Sequence, residues 1–172
     1  MYGKAFAPEY QGELGSALSV NSSYEEVLAT AHRTLTEADT ALKRSRAQLA
    51  VAEANRRLGR VDAAGAAWRA AYRSGRTAGD PAAMAWALWS GGTLARQCGT
   101  LALARRLLTH AVALAETGGD RLAHGYSLAG LAETGRIQGD YAAVADLHEQ
   151  LLEQAQAHAE RGEAEAPVPA HV

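Results

Sequence analysis

The chain is predicted to be an all-α protein, an α-solenoid of antiparallel helix pairs with about seven helices. Turn glycines recur forty residues apart at Gly59, Gly99 and Gly139, and an arginine lies three residues before each. Self-similarity at a fixed period of about 20 to 50 residues is typical of stacked repeats. Alanine is the commonest of the hydrophobic residues, which fill 48% of the 172 positions. Because alanine is the strongest helix former and is small, it favours closely stacked helices.

Composition narrows the class of function. The formal net charge of −2 gives no general reason to expect nucleic acid as a partner. Cys98 is the only cysteine, so we expect no disulfide within the chain and a reducing compartment. Residues 1–20 make a poor signal peptide, and no run reaches the roughly 18 apolar residues of a membrane span. These features predict a cytoplasmic protein, and fifteen arginines against two lysines suggest a GC-rich bacterial source.

The N-terminal part is predicted to contain an arm and half a repeat. Residues 1–20 are expected to be a loosely ordered arm, followed by a single repeat domain over 21–163. Its first part, 21–40, should hold one helix, because Ser23 precedes Glu26 at the spacing of a capping box. Apolar residues in this helix recur at intervals that form one stripe.

Three full repeats are predicted over 41–80, 81–120 and 121–163, each with two helices separated by a turn glycine. Residues 164–172, with two prolines among alanines and glutamates, should form a disordered tail. The expected helices run over about 41–58, 61–76, 82–98, 101–117, 121–138 and 141–161.

Residues that start and stop helices define these bounds. Thr40 and Asp80 precede helices as caps, and Pro81 suits the first helical position because its missing N–H needs no partner there. Glycine commonly follows the last residue of a helix. We therefore expect Gly75 and Gly79 to break the second helix of repeat 41–80.

A pattern of small and large residues surrounds each turn glycine. The positions are Ala52, Gly92 and Ala132 before the turns, and Ala64, Ala104, Val144, Trp68, Leu108, His148, Ala71, Ala111 and Leu151 after them. Over about residues 22–161 this pattern resembles the tetratricopeptide repeat (TPR) family, in the long-period variant of bacterial signalling and regulatory proteins. The usual TPR period is about 34 residues. Asn55 stands where the family usually has an aromatic residue, and His148 where a large apolar one is expected.

The resemblance implies a right-handed superhelix in which the first helices of the repeats line a concave groove that binds proteins or peptides. The predicted groove residues are Arg46, Leu49, Arg56, Trp86, Trp89, Arg96, Tyr126 and Arg136. Arginine and tryptophan often dominate interface energetics, so this surface predicts a partner with acidic and apolar character. The alternative is that the arginines form surface ion pairs with Glu53 and Glu133, three residues earlier, and that the tryptophans only pack the core.

No motif in the sequence points to catalysis, a metal or a cofactor. The six histidines are scattered, and no two lie three or four residues apart as a zinc site on one helix would need. We interpret His148, between Asp146 and Glu149, as a partly exposed helix residue and Cys98 as a packed thiol. The chain is therefore predicted not to be an enzyme and to need no cofactor.

The predicted function is a protein- or peptide-binding adaptor. Alternatives are a ligand- or peptide-sensing regulatory module of a bacterial transcription or biosynthetic system, nucleic-acid binding by the basic first repeat, and an enzyme on a helical scaffold. Charge is uneven, with nine basic and two acidic residues over 43–76 but three basic and eight acidic over 121–172. Complementary patches steer association, so a homodimer is a further alternative.

Overall fold

The computed structural model describes residues 23–164, which form seven helices and no strand. The predicted all-α class is confirmed, and the helix bounds differ from the expected ones by a few residues. The arm predicted over 1–20 and residues 165–172 of the predicted tail lie outside the described residues. The helices are α1 Tyr24–Glu37, α2 Ala41–Arg57, α3 Val61–Ala78, α4 Pro81–Gln97, α5 Leu101–Gly118, α6 Arg121–Gln138 and α7 Tyr141–Ala164.

Five turn glycines give the chain its regular spacing. They adopt φ angles between 65° and 76°, the left-handed region that side chains disfavour. At each turn the next residue donates its N–H to the carbonyl oxygen four residues before the glycine, over 2.8–3.1 Å, which satisfies an orphan helix carbonyl. The forty-residue period therefore consists of two steps of twenty residues, one helix and one turn each. The glycines are Gly59, Gly79, Gly99, Gly119 and Gly139.

Helix starts follow the predicted caps, but one predicted break is wrong. Ser23, Thr40 and Asp80 each accept a hydrogen bond from the backbone N–H three residues later. Gly75, in contrast, lies inside α3, which continues to Ala78. A Cβ at Gly75 would lie 3.2–3.3 Å from backbone atoms at the start of α4, so this glycine permits a close helix contact and does not end the helix.

Each helix packs against the helices before and after it in the chain. In addition, α2 contacts α4 and α4 contacts α6, while no comparable contact joins α3 to α5 or α5 to α7. The first helices of successive repeats thus lie closer together than the second helices. This arrangement puts α2, α4 and α6 on the inner side of the stack.

Helix α4 is fitted most tightly into the stack. A Cβ at Gly91 would lie 2.7 Å from the Trp68 ring, and one at Gly92 would lie 2.6 Å from Leu108 Cγ. These distances are shorter than any ordinary carbon contact, so the two glycines let α3 and α5 approach α4 closely. Close contacts with α3 on one side and α5 on the other therefore fix the position of α4 in the fold.

The exposure of two residues, His148 and Cys98, can be compared with the expectations from the sequence. His148, expected to be partly exposed, is exposed. Cys98 is exposed too, so its interpretation as a packed thiol is wrong. It occupies the C-cap of α4, where the helix has already passed its last buried residue, Ala95. Over residues 23–164, no helix is long and apolar enough to cross a membrane.

Candidate binding cleft

A cleft of about 570 Å³ crosses the inner side of the stack, where α2, α4 and α6 face one another. Its lining comes from the end of α2, the second half of α4 and the middle of α6. The lining residues are Glu53, Arg56, Arg57, Trp89, Thr93, Arg96, Gln97, Tyr126, Ala129, Gly130 and Glu133. The cleft is large enough for several side chains of a bound chain, since ligand sites commonly span about 300–1,000 Å³.

Three aromatic rings meet at one end of the cleft. The Trp86 and Trp89 ring centroids are 5.5 Å apart, and each lies 5.7 Å from that of Tyr126. Such distances and the tilted or edge-on orientations are favourable for aromatic pairs. Trp89 and Tyr126 are partly exposed and line the cleft, whereas Trp86 is fully buried beneath them.

Trp86 also connects two repeats. Its indole Nε1 donates a hydrogen bond of 2.8 Å to Asp120 Oδ2, and the other oxygen of Asp120 caps α6 by accepting from the Ala123 N–H. One carboxylate thus holds the start of α6 and the ring that supports Trp89. The aromatic end of the cleft is therefore preorganised.

The predicted groove residues divide into three groups. Arg56, Trp89, Arg96 and Tyr126 line the cleft. Arg136 lies beside it, bound to the lining residue Glu133, and Arg46 is partly buried outside the lining.

Leu49 and Trp86 are core residues, with 2% and 0% of their surface exposed, so placing them on the groove surface is wrong. Both side chains belong to a core cluster built from first and second helices, which includes Ala71 of α3 and Ala115 of α5.

Arg56 is engaged in a buried ion pair. Its guanidinium contacts both oxygens of Glu53, at 2.6 Å for Nη2 to Oε2, and the two side chains are only 6% and 7% exposed. Ser90 Oγ on α4 donates a further hydrogen bond of 2.7 Å to Glu53 Oε1. The alternative interpretation of this pair as a surface pair is wrong, because the cluster ties α2 to α4 at the cleft wall.

Arg136 forms the equivalent pair in the third repeat, and there the pair is exposed. Its Nε and Nη2 each lie 2.8 Å from an oxygen of Glu133, with side-chain exposures of 61% and 38%. These hydrogen bonds are the main reason that the pKa of Glu133 lies below its usual value, with added charge effects from Arg136 and Arg96. The same contacts raise the pKa of Arg136. This pair fits the surface interpretation.

Arg96, the middle member of the row, lacks such a pair. Thr93 occupies the position that Glu53 and Glu133 hold in the other repeats. Arg96 Nη1 lies 3.9 Å from Glu133 Oε1, within reach of an ion pair but too far for a hydrogen bond. Its Nε is buried and has no hydrogen-bond partner among the described residues. Arg96 thus brings a charge into the cleft that its own helix does not neutralise.

Sequence reasoning missed Arg57, Gln97 and Gly130 as lining residues. Arg57 stands next to Arg56 in the last turn of α2, and its Cζ lies 5.9 Å from the centre of the Tyr24 ring. For Arg57 and Gln97 the available signal was their place in the last turn of a first helix, since the cleft lies at that end of α2 and α4, whereas Gly130 lies in the middle of α6. Over 23–164, no group of three or more histidine, cysteine or acidic residues is placed to hold a metal ion.

Comparison of the sequence with known protein-family models finds no match, and comparison with curated proteins finds none either.

Proposed function

We propose that this chain is a TPR-like adaptor that binds a polypeptide in the cleft between α2, α4 and α6. The observation that carries the proposal is the meeting of Trp89 and Tyr126, both partly exposed, with Arg96 in one cleft. These are the residue types that most often supply the binding energy of protein interfaces. Their convergence on the inner side of a stack of repeats favours recognition of a chain laid across successive repeats.

The construction of the cleft supports binding at low entropic cost. Trp89 rests on the buried Trp86, whose indole is fixed to Asp120. On α2, Arg56 and Glu53 hold each other. Side chains that are already ordered lose little freedom when a partner binds, so more of the contact energy becomes affinity.

The charges of the lining favour an acidic partner. Three arginines and two glutamates line the cleft. Glu53 is fully engaged by Arg56 and Ser90, and Glu133 is engaged by Arg136. A partner with a carboxylate and an apolar side chain would complement this lining.

The proposed role is binding and not catalysis. From the composition of the chain, we propose that the protein acts in the cytoplasm of a bacterium.

Self-association is a second proposal about partners, and it rests on the last helix. Tyr141 and Leu152 of α7 are 70% and 62% exposed, among exposed acidic residues, whereas α2 and α3 are rich in arginine. A second copy would bring opposite charges together. Sedimentation of the purified chain should show a concentration-dependent dimer that weakens with added salt, while a monomer at every concentration would rule this out.

The adaptor proposal is tested by partner capture with a double variant. Trp89→Ala combined with Arg96→Gln removes the aromatic anchor and the cleft charge together, so a polypeptide retained by the wild-type chain should be lost. Helical circular dichroism should be unchanged, because both side chains are partly exposed. The matched control is Arg106→Gln on α5, an exposed position outside the cleft lining, which should retain the partner. Undiminished capture by the folded double variant would reject the cleft as the binding site.

A further inference from the structure

We propose that Arg96 is the docking point for a carboxylate of the bound polypeptide, and that Trp89 and Tyr126 hold an apolar side chain beside that carboxylate. This inference rests on the adaptor function proposed above. It assigns one ligand group to one residue, and the assignment comes from comparing three equivalent arginines.

The three arginines occupy the same position in successive repeats but have different partners. Arg56 has Glu53 and Arg136 has Glu133, each three residues earlier on the same helix. Arg96 has Thr93 there, a side chain with no charge. Of the three arginines, only Arg96, in the middle repeat, has no acidic residue three positions earlier.

Neighbouring acids do not replace the missing partner. Glu133 Oε1, the acidic oxygen paired with Arg96, is 3.9 Å from Arg96 Nη1 and already accepts a hydrogen bond of 2.8 Å from Arg136. Glu53 accepts hydrogen bonds from Arg56 and Ser90 on both of its oxygens. Both acids of the lining are therefore committed to other donors.

Over residues 23–164, Arg96 Nε lacks a hydrogen-bond acceptor, and this indicates what a ligand would provide. Arg96 Nε is buried without a hydrogen-bond partner in the described part of the chain, and a buried donor without an acceptor is costly. A guanidinium can bind both oxygens of one carboxylate through parallel N–H groups. The Arg96 side chain is 23% exposed, so a carboxylate entering from the cleft can reach its terminal nitrogens and supply the acidic partner that Glu53 and Glu133 supply for the other two arginines.

The surroundings of Arg96 specify the group next to the carboxylate. Trp89 and Tyr126 lie 5.7 Å apart by ring centroids, and Ala129 and Gly130 add small side chains or none beside them. This part of the lining is apolar, and its two rings are edge-on to each other, which suits an aromatic or branched side chain. A polypeptide ligand would thus present an acidic group and a bulky apolar residue side by side.

The test restores the missing acid. In Thr93→Glu the new carboxylate should pair with Arg96 as in the other repeats and compete with the ligand, although Arg96 itself is kept. Thr93→Gln is the matched control, with the same size and no charge. Arg96→Gln is a second route to the same loss if Thr93→Glu does not fold, and circular dichroism checks every variant.

The probes are three synthetic nonapeptides made mainly of glycine and serine. One contains an internal glutamate–phenylalanine pair and has both ends blocked, one has glutamine in place of the glutamate, and one ends in phenylalanine with a free carboxylate. Binding is followed by NMR through the indole N–H signal of Trp89. The two carboxylate arms show whether a side chain or a chain end is preferred, and tighter binding of either one supports the proposal.

We expect the preferred acidic peptide to bind about tenfold or more tightly than the glutamine peptide, as expected for a hydrogen bond to a charged group. Thr93→Glu and Arg96→Gln should reduce its binding to the level of the glutamine peptide, and Thr93→Gln should change it little. Equal binding of acidic and neutral peptides, no binding of any peptide, or equal effects of Thr93→Glu and Thr93→Gln would each overturn the proposal.

Failure of this inference can be told apart from failure of the adaptor function. If the double variant of Trp89 and Arg96 loses a captured polypeptide but the acidic peptides show no preference, the adaptor function stands and the carboxylate assignment fails. If the acidic peptides bind as expected but the double variant captures partners normally, the carboxylate site stands and the cleft is rejected as the site that captures those partners.

Discussion

At the scale of single residues, one repeated position serves three purposes. Arg56 is buried with Glu53, Arg136 is exposed with Glu133, and Arg96 faces the cleft beside Thr93. The row of arginines was predictable because it follows the period of the sequence. The burial of each arginine pair could not be predicted, because it depends on which side chains of the next repeat cover the pair. Ser90 of α4, for example, contacts Glu53, the partner of Arg56.

Because the Glu53 pair is buried and the Glu133 pair is exposed, replacing each glutamate with glutamine should lower the free energy of unfolding by different amounts. Glu53→Gln removes the charge that compensates buried Arg56, and breaking one partner of a buried pair costs about 3 kcal/mol or more. Glu133→Gln, at the equivalent position two repeats later, should cost a small fraction of that because its pair is exposed. Urea unfolding of both variants measures the costs. Equal losses would contradict the assignment of burial.

Glu133 also predicts a dependence of stability on pH. Because its pKa in the folded chain lies below the ordinary value of 4.5, the carboxylate stabilises the fold above about pH 4.5. That contribution is lost as the pH falls from there through the lower folded pKa. The stability of Glu133→Gln should therefore fall less steeply with acid over this range than that of the wild-type chain. Urea midpoints between pH 7 and pH 3 measure the slopes, and identical slopes would contradict the ion pair.

At the scale of elements, some glycines form the turns between helices and others allow two helices to pack closely. The turn glycines were predictable, since each is followed by the start of the next apolar pattern. Gly75 was misjudged because a glycine inside a helix and one after its end look alike in sequence. Only contact with the start of α4 shows why Gly75 lies within α3.

Close approach of helices at α4 gives a prediction with an internal control. Gly91→Ala would put a Cβ 2.7 Å from the rigid Trp68 ring, and overpacking of this kind costs about 1–3 kcal/mol. Gly65→Ala should instead be neutral or stabilise by up to about 1 kcal/mol, because its nearest neighbour is the flexible end of Arg69 and alanine favours a helix. Thermal unfolding compares the two. A tolerated Gly91→Ala would mean that α3 and α4 are farther apart.

The two aspartate caps predict a second contrast. Asp80 and Asp120 each accept an N–H at 2.9 Å, but Asp120 also accepts from the Trp86 indole. Asp80→Ala should cost about 1 kcal/mol for a lost cap. Asp120→Ala should cost about 1–3 kcal/mol more, because it leaves a buried indole N–H without its acceptor. Urea unfolding followed by circular dichroism measures both, and equal costs would argue against the link between Trp86 and Asp120.

At the scale of the whole molecule, the period of the sequence determines the order and size of the helices but not their spacing. The stack of helices could therefore be predicted, together with the surface of α2, α4 and α6 that carries Trp89 and Arg96. The burial of Leu49 and Trp86 could not be predicted, because it depends on how closely the helices of neighbouring repeats approach one another. The cleft forms from that approach, which brings residues from three repeats to one place.

Site-specific photocrosslinking tests most directly whether this cleft binds a polypeptide. A photoreactive benzoylphenylalanine replaces Ala129, an exposed residue of the lining, or Ala113, an exposed residue of α5 outside it, in the cells that naturally make the protein. A discrete polypeptide adduct should form from position 129 and not from 113, and Arg96→Gln should abolish it. An adduct that forms equally from both positions, or that persists in Arg96→Gln, would contradict binding in the cleft.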